Sequence, residues 1–366
     1  MKIKIIFFLS NLDGGGAQRA VVNVINNINN NLFDIKLVLL NYHKDQAYSN
    51  LIPEFVDIID LNTRGRYSVF KIKNLIQKEN PDICVATLPQ VCKAVMIGHL
   101  LSNHNSKVIF RESNYRPKKN MSSINFYLMK MTYKYCDYGI ALTKKLKDQM
   151  INQYNIGHEK VKIIHNPIDL NYIKSQIQNK KIEINKQHFN LVACGSLIKQ
   201  KNFSMLIKSI KLVKKEDKYN KIKLNILGTG PLKNKLEKLI KENNLINEVS
   251  LLGYKENPHK YMAESDLFIL SSFYEGMPNV ILESMACKTP VLSTDCPTGP
   301  KEILGNNKYG WIVPNNDIEA MANKIKYLFE NREELIEMKE KSNERIKDFD
   351  VLKIAKKYED LFLSFK

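Results

Sequence analysis

The chain has 366 residues, 44% of them hydrophobic, and 56 Lys and Arg against 38 Asp and Glu give a formal net charge of +18. It is too long for one ordinary core and too apolar for a disordered chain, so two globular domains are expected. No apolar run approaches the ~20 residues of a membrane-crossing helix, and the six cysteines form no CxxC pair, which reads as reduced core thiols of a cytoplasmic protein with no metal cluster.

The opening MKIKIIFFLSNLD has a basic start and a short apolar run, but no small-residue cleavage site. It reads as a first β-strand rather than a signal peptide. Gly14, Gly15 and Gly16 follow and open a helix, where missing side chains let the backbone approach a phosphate or sugar. A dinucleotide fingerprint would place glycine at position 19, which is Arg19 here, and no Walker lysine follows, so neither nucleotide motif applies. Ala20, Val21, Val24, Ile25 and Ile28 then recur with helical period.

Strand-like runs follow at 34–41, 82–87, 106–111 and 137–142, with helical patterns between several of them. That alternation predicts a parallel, doubly wound sheet. In KVIFRESNYR, residues 107–116, a strand leads into a loop carrying Glu112, whose simplest role is a loop carboxylate paired with Arg111. His99 and His104 read as surface residues of a loop. Met121–Tyr135 mixes Phe126, Leu128, Met129 and Tyr133 with Lys130 and Lys134, after Arg116, Lys118 and Lys119. It reads as a core helix with a basic face, or as an amphipathic surface for anionic lipid. Residues 111–147 hold nine basic and two acidic residues. No nucleic-acid motif accompanies that charge, so no nucleic-acid partner is expected.

Near 171–187 the pattern turns polar and marks the junction, giving domains at 1–175 and 176–349 and a last helix at 350–366. The alternation restarts with FNLVACG, KIKLNILG, EVSLLG, DLFILSS and TPVLSTD. Lys201 lies six residues beyond Gly195, just past a strand end. Gly228 and Gly230 form a strand-to-helix turn before Pro231. Gly253 and Tyr254 end another strand. The run FILSSFYEGMPNVILESMACKTPVLSTD places Glu275 in a loop and Glu283 in a helix read as Pro278–Cys287, with proline at the first helical position. Val280, Ile281, Leu282, Met285 and Ala286 make that helix apolar nearly all round, so Glu283 is expected to be buried. Two acids beside an anion-binding loop suit a ligand that carries hydroxyls and phosphates, as a nucleotide-sugar does.

The Glu-x7-Glu spacing, with Gly276, Pro278 and Asn279 between, resembles the signature of retaining GT-B glycosyltransferases of the fourth sequence family. LDGGGAQR, VKIIHNPID, GSLIKQKNF, NILGTGP and PTGPKEIL extend the likeness over nearly the whole chain. The similarity is to bacterial enzymes that extend lipid-linked oligosaccharides, including N-acetylgalactosamine transferases. It implies two Rossmann-like domains facing a cleft, the first for the acceptor and the second for the nucleotide-sugar, with the last helix crossing back. It implies catalytic roles for Glu275 and Lys201 and, at the acceptor, for Glu112. Donor binding falls to Gly15, Gly16, Ser196, Tyr254, Gly276, Met277, Pro278, Asn279 and Glu283. Ser196 stands where the family usually has a diphosphate-binding Arg, and the usual cleft His is missing. No cofactor and no metal are expected, since a UDP-sugar is itself the donor substrate. The expected partners are that donor, a lipid-linked saccharide and an anionic membrane surface, met from the inner face of the cytoplasmic membrane. An epimerase of related fold and a non-catalytic binder are the alternatives; the first lacks its motifs, and the second leaves Lys201, Glu275 and Glu283 unexplained.

Overall fold

The structure, a computed structural model, describes residues 2–116, 121–178, 182 and 184–365. It divides into two compact units, Met1–Pro167 with Val351–Lys366, and Ile168–Asp350. The junction therefore falls at Pro167/Ile168, several residues before the expected boundary, and the segment from Val351 belongs to the first unit.

The first unit runs β1 (Ile3–Leu9), α1 (Gly16–Asn27), β2 (Phe33–Leu39), β3 (Asp57–Asp60), α2 (Val69–Glu79), β4 (Ile83–Thr87), α3 (Pro89–Ser102), β5 (Lys107–Glu112), α4 (Ser123–Lys134), β6 (Tyr138–Ala141), α5 (Lys144–Tyr154) and β7 (Val161–Ile163). Its seven strands lie in the order β3-β2-β1-β4-β5-β6-β7, all paired in parallel. Strands buried on both faces read as unbroken apolar runs, which is why β1 is apolar from Ile5 to Leu9 and β4 from Ile83 to Ala86.

The second unit runs α6 (Leu170–Gln178), β8 (Phe189–Cys194), α7 (Phe203–Val213), β9 (Ile222–Leu227), α8 (Lys233–Glu242), β10 (Val249–Gly253), α9 (Pro258–Glu264), β11 (Leu267–Leu270), α10 (Asn279–Ala286), β12 (Val291–Thr294), α11 (Pro300–Leu304), β13 (Trp311–Val313), α12 (Ile318–Glu330) and α13 (Arg332–Arg345). Its six parallel strands lie in the order β10-β9-β8-β11-β12-β13. α14 (Val351–Leu363) then packs on α1 in the first unit. Its Phe362 meets Phe7 and Phe33 edge to face, with ring centroids about 6 Å apart.

Both units are therefore doubly wound α/β domains, and in each sheet the strand order reverses beside the first strand. Among the described residues no helix is long and apolar enough to cross a membrane. Five of the six cysteines are buried and all are free thiols.

Candidate active site

In an open parallel sheet, ligands bind outside the carboxyl ends of the strands where the winding order reverses. In the second sheet that point lies between β8 and β11. The loops leaving these two strands carry Lys201 and Glu275. Lys201 Nζ lies 2.6 Å from Glu275 Oε1, and both side chains are largely buried. Ser272 Oγ donates to the same carboxylate oxygen at 2.6 Å. Glu275 is 6% exposed. Lys201 reaches it by lying across Gly195, where a Cβ would come within 3.2 Å of the lysine stem.

The loop around Glu275 is held along its whole length. Ser272 O accepts from Thr294 Oγ1, Phe273 O from Asn315 Nδ2, Tyr274 O from Gln200 Nε2 and Glu275 O from Thr298 Oγ1. Phe273 N donates to Gln200 O, and Ser271 Oγ to Lys201 O, both at 2.8 Å. Four consecutive carbonyls bound by side chains from three other loops leave this segment one conformation, which preorganises the pair. Sequence reading missed Ser272, Thr294, Thr298, Gln200 and Asn315. Their only signal was polar residues just beyond strand ends.

Glycines close the remaining gaps. A Cβ on Gly228, at φ +133°, would stand 2.0 Å from Gly195 O, and one on Gly299, at φ +87°, 2.6 Å from Gly276 O. The loops after β8, β9, β11 and β12 thus touch backbone to backbone, an approach only glycine permits.

Gly276, Met277 and Pro278 are buried, and half-buried Asn279 begins α10. Pro278 is the residue before the helix rather than its first, with extended backbone. Glu283 is half-buried rather than buried, because it lies off the face formed by Ile281, Leu282, Ser284 and Met285. It lies close enough to Cys194 to act on its thiol: burial pushes that thiol up to about 12, Glu283 adds to the shift and Lys201 opposes it. One thiol therefore feels both Glu283 and Lys201. Ser196 is exposed, and its carbonyl accepts from Ile198 N at 2.8 Å. Tyr254 is 68% exposed.

The remaining candidates belong to the first unit. Gly14 has φ +92° and Gly15 precedes α1 in extended conformation, with no side-chain cap and no acid in the first turn. No acid within the first turn of α1, begun by Gly16, therefore offsets the positive end of its dipole. Leu12 N donates to Gln46 Oε1 at 3.1 Å and steadies the turn. Glu112 departs from the open loop carboxylate expected. It ends β5, is 2% exposed, and accepts from Tyr133 Oη at 2.7 Å, Asn114 N at 3.2 Å and Arg116 Nη1 at 3.5 Å. Burial and this carboxylate raise the Tyr133 hydroxyl well above its usual range. Arg111 does not pair with it. Alternate strand residues face opposite sides, and Arg111 donates to Asn166 Oδ1 and, at 3.2 Å, to Tyr358 Oη. His99 is a half-buried residue of α3, not of a loop, and burial lowers its basicity.

Among the described residues no three His, Cys, Asp or Glu side chains gather as a metal site. A cavity of about 330 Å³ opens beside the β8 loop between Ile198, Phe203, Leu232 and Phe273; Lys201 and Glu275 do not line it.

Two family models cover almost the entire chain. "Glycosyl transferases group 1" matches residues 174–345, and "Glycosyltransferase Family 4" matches 14–172. The chain belongs to this glycosyltransferase family. It is 29% identical, over 96% of its length and 97% of the relative's, to a Campylobacter jejuni N-acetylgalactosamine-N,N'-diacetylbacillosaminyl-diphospho-undecaprenol 4-alpha-N-acetylgalactosaminyltransferase. It is 24% identical, over 95% and 93%, to an Escherichia coli UDP-Gal:alpha-D-GlcNAc-diphosphoundecaprenol alpha-1,3-galactosyltransferase. Among solved structures, Anabaena HepE matches with TM-score 0.83 at 18% identity, covering 99% of this chain and 100% of that one. A Rickettsia africae glycosyltransferase matches at 0.79 and 17%, covering 100% and 98%. These likenesses give the fold, GT-B.

Proposed function

We propose that this glycosyltransferase moves a hexose or N-acetylhexosamine from a UDP-sugar to a lipid-linked saccharide, without a metal and with retention at the anomeric carbon. The observation that carries the reading is the Lys201–Glu275 pair at the switch point of the second sheet. The names of the Campylobacter and Escherichia relatives support the acceptor class, and the latter the UDP donor.

The ammonium of Lys201 has three N–H donors. Glu275 takes one, and the others serve the donor diphosphate together with N–H groups of the 276–279 turn. On Glu275 the Oε1 atom is engaged by Lys201 and Ser272, while Oε2 has no hydrogen bond among the described residues and faces hydroxyls of the transferred sugar. Fixed charge aimed at the departing diphosphate stabilises the transition state more than flexible charge would. Glu283 takes the ribose hydroxyls. The acceptor hydroxyl oxygen bonds to the anomeric carbon as the bond from that carbon to the diphosphate oxygen breaks. The proton passes to a diphosphate oxygen and UDP leaves, so no enzymic nucleophile is needed. Glu112, with its lone pairs committed inside the first unit, acts as a brace for the acceptor side rather than as a base.

Thermal shifts against UDP-, GDP- and ADP-sugars identify the donor, with stabilisation expected from UDP-sugars. Transfer to a lipid-diphosphate saccharide is then followed in excess EDTA, and the product anomer is read by NMR. Strict dependence on added Mn²⁺ or Mg²⁺ would overturn the account of diphosphate binding, and an inverted product the account of attack.

A further inference from the structure

The cavity beside the β8 loop belongs to the second unit but lies apart from the charged pair. Right-handed crossovers from a reversing strand order put helices on opposite faces of a parallel sheet. On one face α7 packs with α8 and α12; on the other α10, which carries Glu283, packs with α6, α9, α11 and α13. The cavity opens at the starts of α7 and α8, on the face opposite α10. Its volume of about 330 Å³ is that of a small-ligand pocket.

The covered part of its wall is apolar, made by Ile198, Phe203, Leu232, Leu236 and Phe273. Lys199 and Lys235 are exposed at its edge, and neither side chain has a hydrogen bond or ion pair among the described residues. The backbone adds donors. α7 and α8, 11 and 10 residues long, have no side-chain cap and no acid in the first turn. Asn202 does not cap α7 because it takes φ +48°, and its Nδ2 donates to Asn316 Oδ1 at 3.2 Å. The N–H groups of Ser204 on α7 and Lys235 on α8 donate to nothing among the described residues, and both residues line the cavity. The Ser204 hydroxyl is equally without a partner there. The charge used here is separate from the basic stretch at 111–147, of which Lys118 and Lys119 lie outside the described residues.

Two ammonium groups, a hydroxyl and two helix-start N–H groups around an apolar wall with no acid match an anion on a small apolar body. A phosphate monoester, with three free oxygens, meets more of these donors than a carboxylate with two. We propose that the cavity is an effector site for a small phosphomonoester with an aromatic or aliphatic body, whose binding steadies the Lys201–Glu275 seat. The route is short. Phe273 N donates to Gln200 O and Gln200 Nε2 to Tyr274 O, both at 2.8 Å, so cavity wall and catalytic loop are the same two joined segments. A ligand held by Lys199, Ser204 and Lys235 binds these segments in the arrangement that pairs Lys201 with Glu275, and shifts the population toward it. The coupling rests on the functional reading above; the binding does not.

Calorimetric titration with phenyl phosphate, without donor or acceptor, tests the binding. Phenyl phosphate should bind at least about 10-fold more tightly than inorganic phosphate, because its ring covers the apolar wall. Lys199→Gln with Lys235→Gln should weaken it about 10-fold, the usual worth of two exposed charge contacts, and keep the basal transfer rate. Lys201→Met should change it by less than about threefold, since Lys201 does not line the cavity. UDP should tighten phenyl phosphate binding, and phenyl phosphate UDP binding, by one common factor of about fivefold or more. The double variant should lose that coupling. If phenyl phosphate fails to bind, binds no better than inorganic phosphate, or binds the double variant as it binds wild type, the proposal is overturned. Loss of binding in Lys201→Met, or displacement of the probe by UDP, overturns it too, since the probe would then sit in the catalytic seat. Binding that leaves UDP affinity unmoved overturns the coupling. Normal phenyl phosphate binding by a protein that takes no nucleotide-sugar would instead sink the functional reading and leave the cavity's ligand class standing.

Discussion

The two sheets wind in the same way, yet their switch points are built differently. In the second unit the loops after β8 and β11 are joined by an ion pair, and glycines at 228 and 299 let neighbouring loops close backbone to backbone. In the first unit the corresponding loops follow β1 and β4. There Gly14 has its nearest neighbour, Ala47 Cβ, 3.5 Å from a hypothetical Cβ, and Leu88 takes φ +75° without being glycine. At ψ 135° this leucine lies outside even the left-handed helical well, a conformation that costs about 1–3 kcal/mol, and the surroundings must hold it. One edge is thus a rigid, charged seat, the other a roomier turn with local strain. Rigidity belongs where charge must be met without rearrangement. Room suits a partner bound mainly by shape.

The sharpest test of this contrast is Lys201→Met, which keeps the stem over Gly195 and removes the charge. Transfer should fall about 10²–10³-fold, the usual loss for one fixed electrostatic donor. Wild-type turnover would reduce the pair to a structural brace. Next come the glycines. Gly228→Ala must push against Gly195 O and should lower stability by about 2–4 kcal/mol in urea unfolding. Gly14→Ala meets only its own φ and should cost about 1–2 kcal/mol. Equal costs would mean the two edges are equally tight. A smaller effect separates the roles of Glu112. Glu112→Gln keeps an acceptor for Tyr133 and should retain the transfer rate within about threefold, whereas Tyr133→Phe should cost about 1 kcal/mol of stability. A large rate loss in Glu112→Gln with normal stability would restore it as a base. The smallest effect is expected of the thiols. Cys84, Cys136 and Cys194 are raised by burial to about 12, so at pH 8 only about one thiolate in 10⁴ is present. Iodoacetamide should label none of them until the protein unfolds. Rapid labelling of Cys194 alone would show an opening of the β8 loop.

Much of the architecture was legible in the sequence because a parallel sheet writes itself as alternating apolar runs and helical periods. β1, β2, β4, β5, β6, β8, β9, β10, β11 and β12 follow from that rule. β3, β7 and β13 were missed: β3 has no buried residue, and β7 and β13, at three residues, are too short to show a period. The junction was misplaced because α6 is polar and buries only Ile173, so it looked like linker. The charged pair itself is a contact between residues 74 apart. Sequence supplied both partners, but not their meeting, nor the Ser272 and Thr298 hydroxyls that fix it. Glu112 looked like a loop residue because polar neighbours surround it. What extends β5 through it are Tyr133 and, for Arg111, Asn166 and Tyr358, none of which local pattern can reveal.

The return of α14 to the first unit has a consequence for synthesis on the ribosome. The second unit, Ile168–Asp350, is one unbroken stretch and can fold as soon as it emerges. The first unit cannot close until Tyr358 and Phe362 arrive, after those 183 residues have been made. At ordinary translation rates that is a wait of about 10–40 s. Throughout it Phe7 and Phe33 lack their cover, and Asn29 N lacks the Glu359 carboxylate that it meets at 2.8 Å in the finished fold. The unit translated first is therefore the one completed last, and its uncovered core is open to aggregation while the second unit is being made.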